Sequence, residues 1–176
     1  YNILAVTFTN KAGNDMKESV ASLLGGMEGN IFVSTFHSFC VRVLRREIKK
    51  IGYDSNFIIY DTTDQRSLMK NILKELNIDS KKTKPRAVLS EISNAKNEMI
   101  DPEEYAMNAS GFFMKIVNRA YSVYQDKLQD NNALDFDDLI MKTVELFKEY
   151  DMVLDYYHEE FKCILIDEYQ DVNTSK

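Results

Sequence analysis

Cys163-Ile164-Leu165-Ile166-Asp167-Glu168-Tyr169-Gln170-Asp171 runs from an apolar stretch straight into carboxylates. The stretch Lys162 to Ile166 is strand-sized and reads as a strand buried in a parallel sheet. Open α/β sheets bind their ligands at the C-terminal ends of such strands. Adjacent strand residues point to opposite faces, so the chain must turn at Asp167 and Glu168 if both are to serve one site. One carboxylate there can hold the water shell of a Mg²⁺ ion while the next faces an attacking water. The same spacing also fits a solvated turn or a helix cap, so the weight falls on the segments upstream.

Those segments repeat the strand-then-polar pattern. Ile3 to Phe8 reads as a buried strand, followed by a helix from about Lys11 with Ala12, Met16, Val20 and Leu23 on one face and Gly25-Gly26 closing it. Ile31-Phe32-Val33 is a second buried strand. The helix after it, Phe36 to Ile51, carries Phe36, Phe39, Cys40, Val43, Leu44, Ile48 and Ile51 on its apolar side and ends at Gly52. Strand, helix, strand, helix at this spacing predicts a parallel α/β sheet.

The middle of the chain reads as helix alone. Asp61 with Asp64 makes a capping box for a helix to about Leu76, and a polar break at Lys81-Lys82-Thr83-Lys84-Pro85 precedes another to about Asn97. Asp101-Pro102-Glu103-Glu104 marks a helix start. A long helix from about Phe112 to Gln129 carries Phe113, Ile116, Val117, Ala120, Tyr124 and Leu128. Asp135 then caps a helix with Phe136, Leu139, Ile140, Val144 and Phe147 inward, and Asp151 opens a short one. The expected fold is an α/β domain interrupted by an all-helical insertion: residues 1–56 and 132–176 form the α/β part, 57–131 the insertion.

Composition bounds the function. Apolar residues make up 44% of 176, enough to bury a core, and only two prolines and six glycines favour long regular elements. A net charge of −6 argues against indiscriminate nucleic-acid binding but leaves room for a local basic track. Cys40 and Cys163 are too few for a disulfide framework or zinc site, and both lie in apolar runs, so buried reduced thiols and a cytoplasmic setting are expected. The apolar runs are strand-sized, with no transmembrane span or signal peptide, and both ends look cut from a longer chain.

Val6-Thr7-Phe8-Thr9-Asn10-Lys11 and Val33-Ser34-Thr35-Phe36-His37-Ser38 each place polar groups and an aromatic at a strand end. Hydroxyls and amides there can bond phosphates, and a ring can stack on a base. The competing reading makes Thr7, Asn10 and Ser34 helix caps and Phe8 and Phe36 core residues. His37 serves equally as a structural hydrogen-bonding residue or a contact. His158 has no motif around it and is expected at the surface.

Together the three segments resemble motifs Ia, Ib and II of superfamily 1 DNA helicases of the UvrD/PcrA/Rep family, in that order. Tyr60-Asp61-Thr62-Thr63-Asp64-Gln65, Pro85-Arg86, Ala95-Lys96-Asn97-Glu98 and Leu134-Asp135-Phe136-Asp137-Asp138-Leu139-Ile140 extend the resemblance over essentially the whole chain, nearest to the PcrA branch. The resemblance implies a partial RecA-like (P-loop NTPase) motor whose parent uses ATP and Mg²⁺ to move 3′-to-5′ on single-stranded DNA and unwind duplex DNA, as a monomer with unidentified protein partners, in repair or replication. It implies Asp167 as the Mg²⁺-associated acid, acting through water, Glu168 as general base, and Gln170 as the link between nucleotide and DNA. Thr7, Phe8, Asn10 and Lys11, with Thr35 and His37, are the implied DNA contacts. Gly13 and Val172 depart from the family pattern; Gly13 should weaken its helix by up to ~1 kcal/mol. No G-x-x-x-x-G-K-[ST] loop occurs, so the chain alone is expected to be inactive. In the family that loop lies upstream of Tyr1, and the arginine fingers beyond Lys176.

Two basic clusters remain: Arg42, Arg45, Arg46, Lys49 and Lys50, and Lys81, Lys82, Lys84 and Arg86. Either serves as a solvated face; the family places the second near duplex DNA. The rival functions are the helicase subunit of a recombination nuclease complex, and a module that only binds DNA or a partner.

Overall fold

The computed structural model describes residues 2–25 and 31–168. Strands β1 (Ile3–Thr7), β2 (Ile31–Thr35) and β5 (Cys163–Ile166) form a parallel sheet in the order β2-β1-β5. The register sets Thr7 beside Thr35 and Val6 beside Ile166, so all three C-terminal ends share one sheet edge. Helix α1 (Asn10–Leu24) follows β1, capped by Thr9 and ended by Gly25 in the left-handed conformation. Helix α2 (Phe36–Glu47) follows β2 and tightens into a 3-10 turn over Ile48–Ile51 before Gly52, again left-handed. The strand–helix alternation read from the sequence is therefore the one that forms.

Four helices occupy the middle: α3 (Thr62–Glu75), α4 (Pro85–Asn97), α5 (Pro102–Asn108) and α6 (Phe112–Asp130). They share a core built on Met69, Ile72, Val88, Ile92, Val117, Tyr121 and Leu128. The Asp61–Asp64 capping box is present. On either side of them, β3 (Ile58–Ile59) and β4 (Ala133–Leu134) pair in parallel. Helices α7 (Phe136–Glu149) and α8 (Asp151–Glu160) then lead into β5.

Three expectations about burial fail. Helix α1 buries only Gly13, and Leu23 is 84% exposed, so the stripe from Ala12 to Leu23 does not face a core. Strand β5 has only β1 as a neighbour among the described strands, so Ile164 and Leu165 stand more than half exposed and Cys163 is exposed rather than buried. Apolar sequence identified the strand but could not say whether its second side is covered. Phe136, expected inward, is 51% exposed. Cys40 is buried as expected, and burial pushes its thiol up to about 11, so it stays protonated and unreactive. His158 is exposed, as expected.

Candidate nucleotide and nucleic-acid site

The two upstream motifs converge on one groove. Thr9 accepts a hydrogen bond from the Ala12 amide at 3.1 Å and Thr35 accepts from the Ser38 amide at 3.2 Å, so both helices start at the sheet edge. Phe8, Asn10, Thr35 and His37 therefore line a common groove of about 640 Å³, closed on the far side by Phe136 and Leu139 of α7. Phe8 is half-buried, its ring 5.2 Å from that of Phe36, which belongs to the core. The His37 ring meets Phe136 edge-on at 6.1 Å.

The remaining predicted contacts are placed differently. Thr7 is buried beneath α1, with its methyl 3.5 Å from where a Cβ on Gly13 would lie, and its hydroxyl has no hydrogen-bond partner. In this conformation it offers no surface to a ligand. Lys11 is exposed on α1 and does not line the groove. Thr35 has a structural duty as the α2 cap, its hydroxyl also donating to Ser38 Oγ at 2.9 Å. Phe136 is the groove residue that apolar periodicity missed; its place as the first residue after an Asp cap was the available signal, because side chains at N1 need not face the core.

At the tip of β5 the chain does turn. The Asp167 amide donates to the Val6 carbonyl at 3.0 Å, continuing the ladder, and the Glu168 amide donates to Asp167 Oδ1 at 3.0 Å. Glu168 has φ of 54°, a left-handed conformation that costs a non-glycine residue about 1–2 kcal/mol. Strain of that kind concentrates at functional sites. Both carboxylates are exposed at the sheet edge that also carries the Phe8–Asn10 turn. Their oxygens suit a hard divalent cation such as Mg²⁺ held through water. Tyr169, Gln170, Asp171 and Val172 lie outside the described residues, and with them the role expected of Gln170.

The basic side chains of α2 are engaged by protein. Arg42 lies over Phe32 at 4.4 Å and pairs with Glu160 at 3.3 Å. Arg45 and Arg46 lie 3.8 Å over Phe57 and Tyr156 respectively. Cation–π packing of this kind takes up the guanidinium faces. Lys81, Lys82, Lys84 and Arg86, by contrast, are all exposed around the start of α4.

One cluster went unread in the sequence. Lys96 of α4 is 1% exposed, and its ammonium donates to Asp135 Oδ2 at 2.8 Å and Asp138 Oδ1 at 2.7 Å. The same two aspartates form the capping box of α7. Tyr124 donates to Asp135 at 3.1 Å and Gln125 to Asp138 at 3.2 Å, both from α6. Burial and the charge of Asp135 push Asp138 up to about 6. Burial also works to raise Asp135, but Lys96 and the hydrogen bonds outweigh it and hold that carboxyl below its ordinary value.

Comparison with known proteins agrees with this architecture. Residues 1–176 match the UvrD/REP helicase N-terminal domain family. The chain is 52% identical over its whole length to the ATP-dependent DNA helicase PcrA of Bacillus subtilis (strain 168), and 50% identical to that of Staphylococcus aureus (strain Mu50). It spans 24% of the length of each. A parallel sheet with family motifs at its strand ends is the RecA-like helicase motor arrangement. The chain belongs to the UvrD/REP helicase N-terminal domain family.

Proposed function

We propose that this chain forms part of the first motor domain of an ATP-dependent DNA helicase, with residues 57–131 as its inserted sub-domain. Its sheet edge both holds a single DNA strand and hydrolyses ATP. The observation that carries the reading is the convergence of Phe8, Asn10, Thr35 and His37 on one groove beside the Asp167–Glu168 tip. The half-buried Phe8 ring and the exposed Phe136 ring offer faces to bases, while Asn10 and the α2 N-terminus offer hydrogen bonds to phosphates. Lys11 and Thr7 belong to the same segment; Thr7 supports the turn from beneath.

Asp167 would hold Mg²⁺ through water, and the ion would supply charge neutralisation at the phosphates. Glu168 takes the proton from the attacking water, and the turn after β5 presents it beside Asp167. Strand β1, which with β2 carries the strand-binding residues, is hydrogen-bonded to β5, which carries the acids, so a shift of one strand end is felt directly by the next. Such coupling is what ATP-driven, 3′-to-5′ translocation and unwinding require. The parent would work as a monomer in the cytoplasm, in repair or replication.

Two measurements on the full-length protein test the reading. Phe8→Ala should weaken oligothymidylate binding by about 1–3 kcal/mol. Glu168→Gln should stop hydrolysis while nucleotide still binds. Wild-type DNA affinity in Phe8→Ala together with wild-type turnover in Glu168→Gln would remove both halves of the proposal.

A further inference from the structure

The first turn of α7 is gripped from one side and exposed on the other. Lys96 of α4 and Tyr124 and Gln125 of α6 bond Asp135 and Asp138. Between these aspartates sits Phe136, which lies in the groove against His37. The intervening Asp137 is bonded by Ser93, also on α4. Four side chains from the helical insertion thus hold the three acidic residues of one turn. A hydrophobic contact of equal area would tolerate sliding. An ammonium shared between two buried carboxylates does not, because any displacement leaves a charge unpaired in a dry environment.

We infer that Lys96 is a positioning residue for the DNA groove, acting through the Asp135–Asp138 cap to fix Phe136 against His37. The insertion and the strand-binding edge then move as one piece. This rests on the proposed reading of the groove as a single-strand site. It goes beyond that reading by assigning part of the groove's grip to a lysine that never touches DNA.

A double-mutant cycle in the full-length protein decides it. Lys96→Met and Phe136→Ala are made singly and together, and affinity is measured for an oligothymidylate and for an abasic strand of equal length. Loss of one stacked base corresponds to roughly 5- to 150-fold in affinity. Lys96→Met should lose part of that, about 3- to 10-fold, on the thymidylate and nothing on the abasic strand. In the Phe136→Ala background it should cost nothing further. Equal losses in both backgrounds, equal losses on both strands, or no loss at all would overturn the inference. Tyr124→Phe, which removes one donor to Asp135 and keeps the ring, repeats the cycle if Lys96→Met does not fold. Additivity there overturns the inference as well. If Phe8→Ala and Phe136→Ala both bind normally, the groove reading itself fails. If either weakens binding and the Lys96 cycle is additive, only the positioning role fails.

Discussion

Replacing Lys96 by Met leaves Asp135 and Asp138 facing each other in a buried site with no cation between them. Met matches the length of the lysine stem, so the loss is one of charge rather than volume. Removing one partner of a buried ion pair costs about 3–5 kcal/mol. For a domain of this size that is a fall in melting temperature of roughly 6–20 °C, at about 2–4 °C per kcal/mol. The pH dependence carries the sharper test. In the wild type Asp138 already lies at about 6, above its ordinary value, so the folded state holds a proton that the unfolded chain releases. Stability from this group therefore falls as pH rises from about 4 through 6. Without Lys96, Asp135 loses the charge that holds it down, and both carboxyls rise. The folded variant then binds more protons than its unfolded chain over a wider window. Its deficit relative to wild type should be largest near pH 8 and shrink toward pH 5, by up to about 1.4 kcal/mol per pH unit for each carboxyl titrating in the window. Thermal melts of both proteins at pH 5, 6.5 and 8 measure this. A deficit that is flat with pH, or greater at pH 5, refutes the view that Lys96 neutralises the pair. Asp138→Asn added to Lys96→Met should recover part of the loss at pH 8, since one uncompensated charge is gone.

Gly13→Ala should raise stability by about 0.5–1 kcal/mol, because the helix continues through this residue and the new Cβ meets only the Thr7 methyl, at ordinary contact distance; an earlier melt would mean the fit is tighter than that. Thr35→Ala should cost about 1 kcal/mol of stability whether or not DNA is present, as the loss of the α2 cap, and a DNA defect without a stability defect would make Thr35 a contact first. Glu168→Gln should slow hydrolysis by about 10²–10⁴-fold with nucleotide binding retained; retained turnover would place the base elsewhere. Phe8→Ala should cost less stability than the roughly 3–5 kcal/mol of a fully buried Phe, since its ring is half-buried, and a larger loss measured by denaturant titration would make it a core residue.

What could be read from the sequence was short-range. The caps at Asp61, Asp101 and Asp135 form as expected because each needs only its own next three residues. The strand–helix alternation was legible from periodicity, and the groove followed from two motifs that each place polar residues at a strand end. Phe136 and Cys163 were misplaced for one reason: apolar character says that a residue can be buried, not that a neighbour arrives to bury it. The Lys96 cluster joins residues 39 and 42 positions apart, beyond any local pattern. A trace of it was present nonetheless. Lys96 continues the stripe Val88, Ile92 at four-residue spacing, and a lysine on the buried face of a helix requires a carboxylate to meet it.

The miniature pair β3–β4 has an architectural consequence. The Ile58 amide donates to the Asn132 carbonyl at 3.0 Å and the Tyr60 amide to the Leu134 carbonyl at 2.9 Å, so the chain leaves for the helices and comes back at hydrogen-bonding distance. Asn132, itself left-handed, clasps the same root by accepting from the Asp54 amide and donating to Asn56. A segment whose two ends lie this close can be shortened or exchanged with little loop-closure penalty, provided enough chain remains for the crossover that parallel strands require. The backbone thus treats the four-helix segment as detachable cargo, whereas Asp135 and Asp138 do not. Any graft that removes Lys96 strands two carboxylates in the surviving half, and a transplant at this root succeeds only if those two aspartates are neutralised with it.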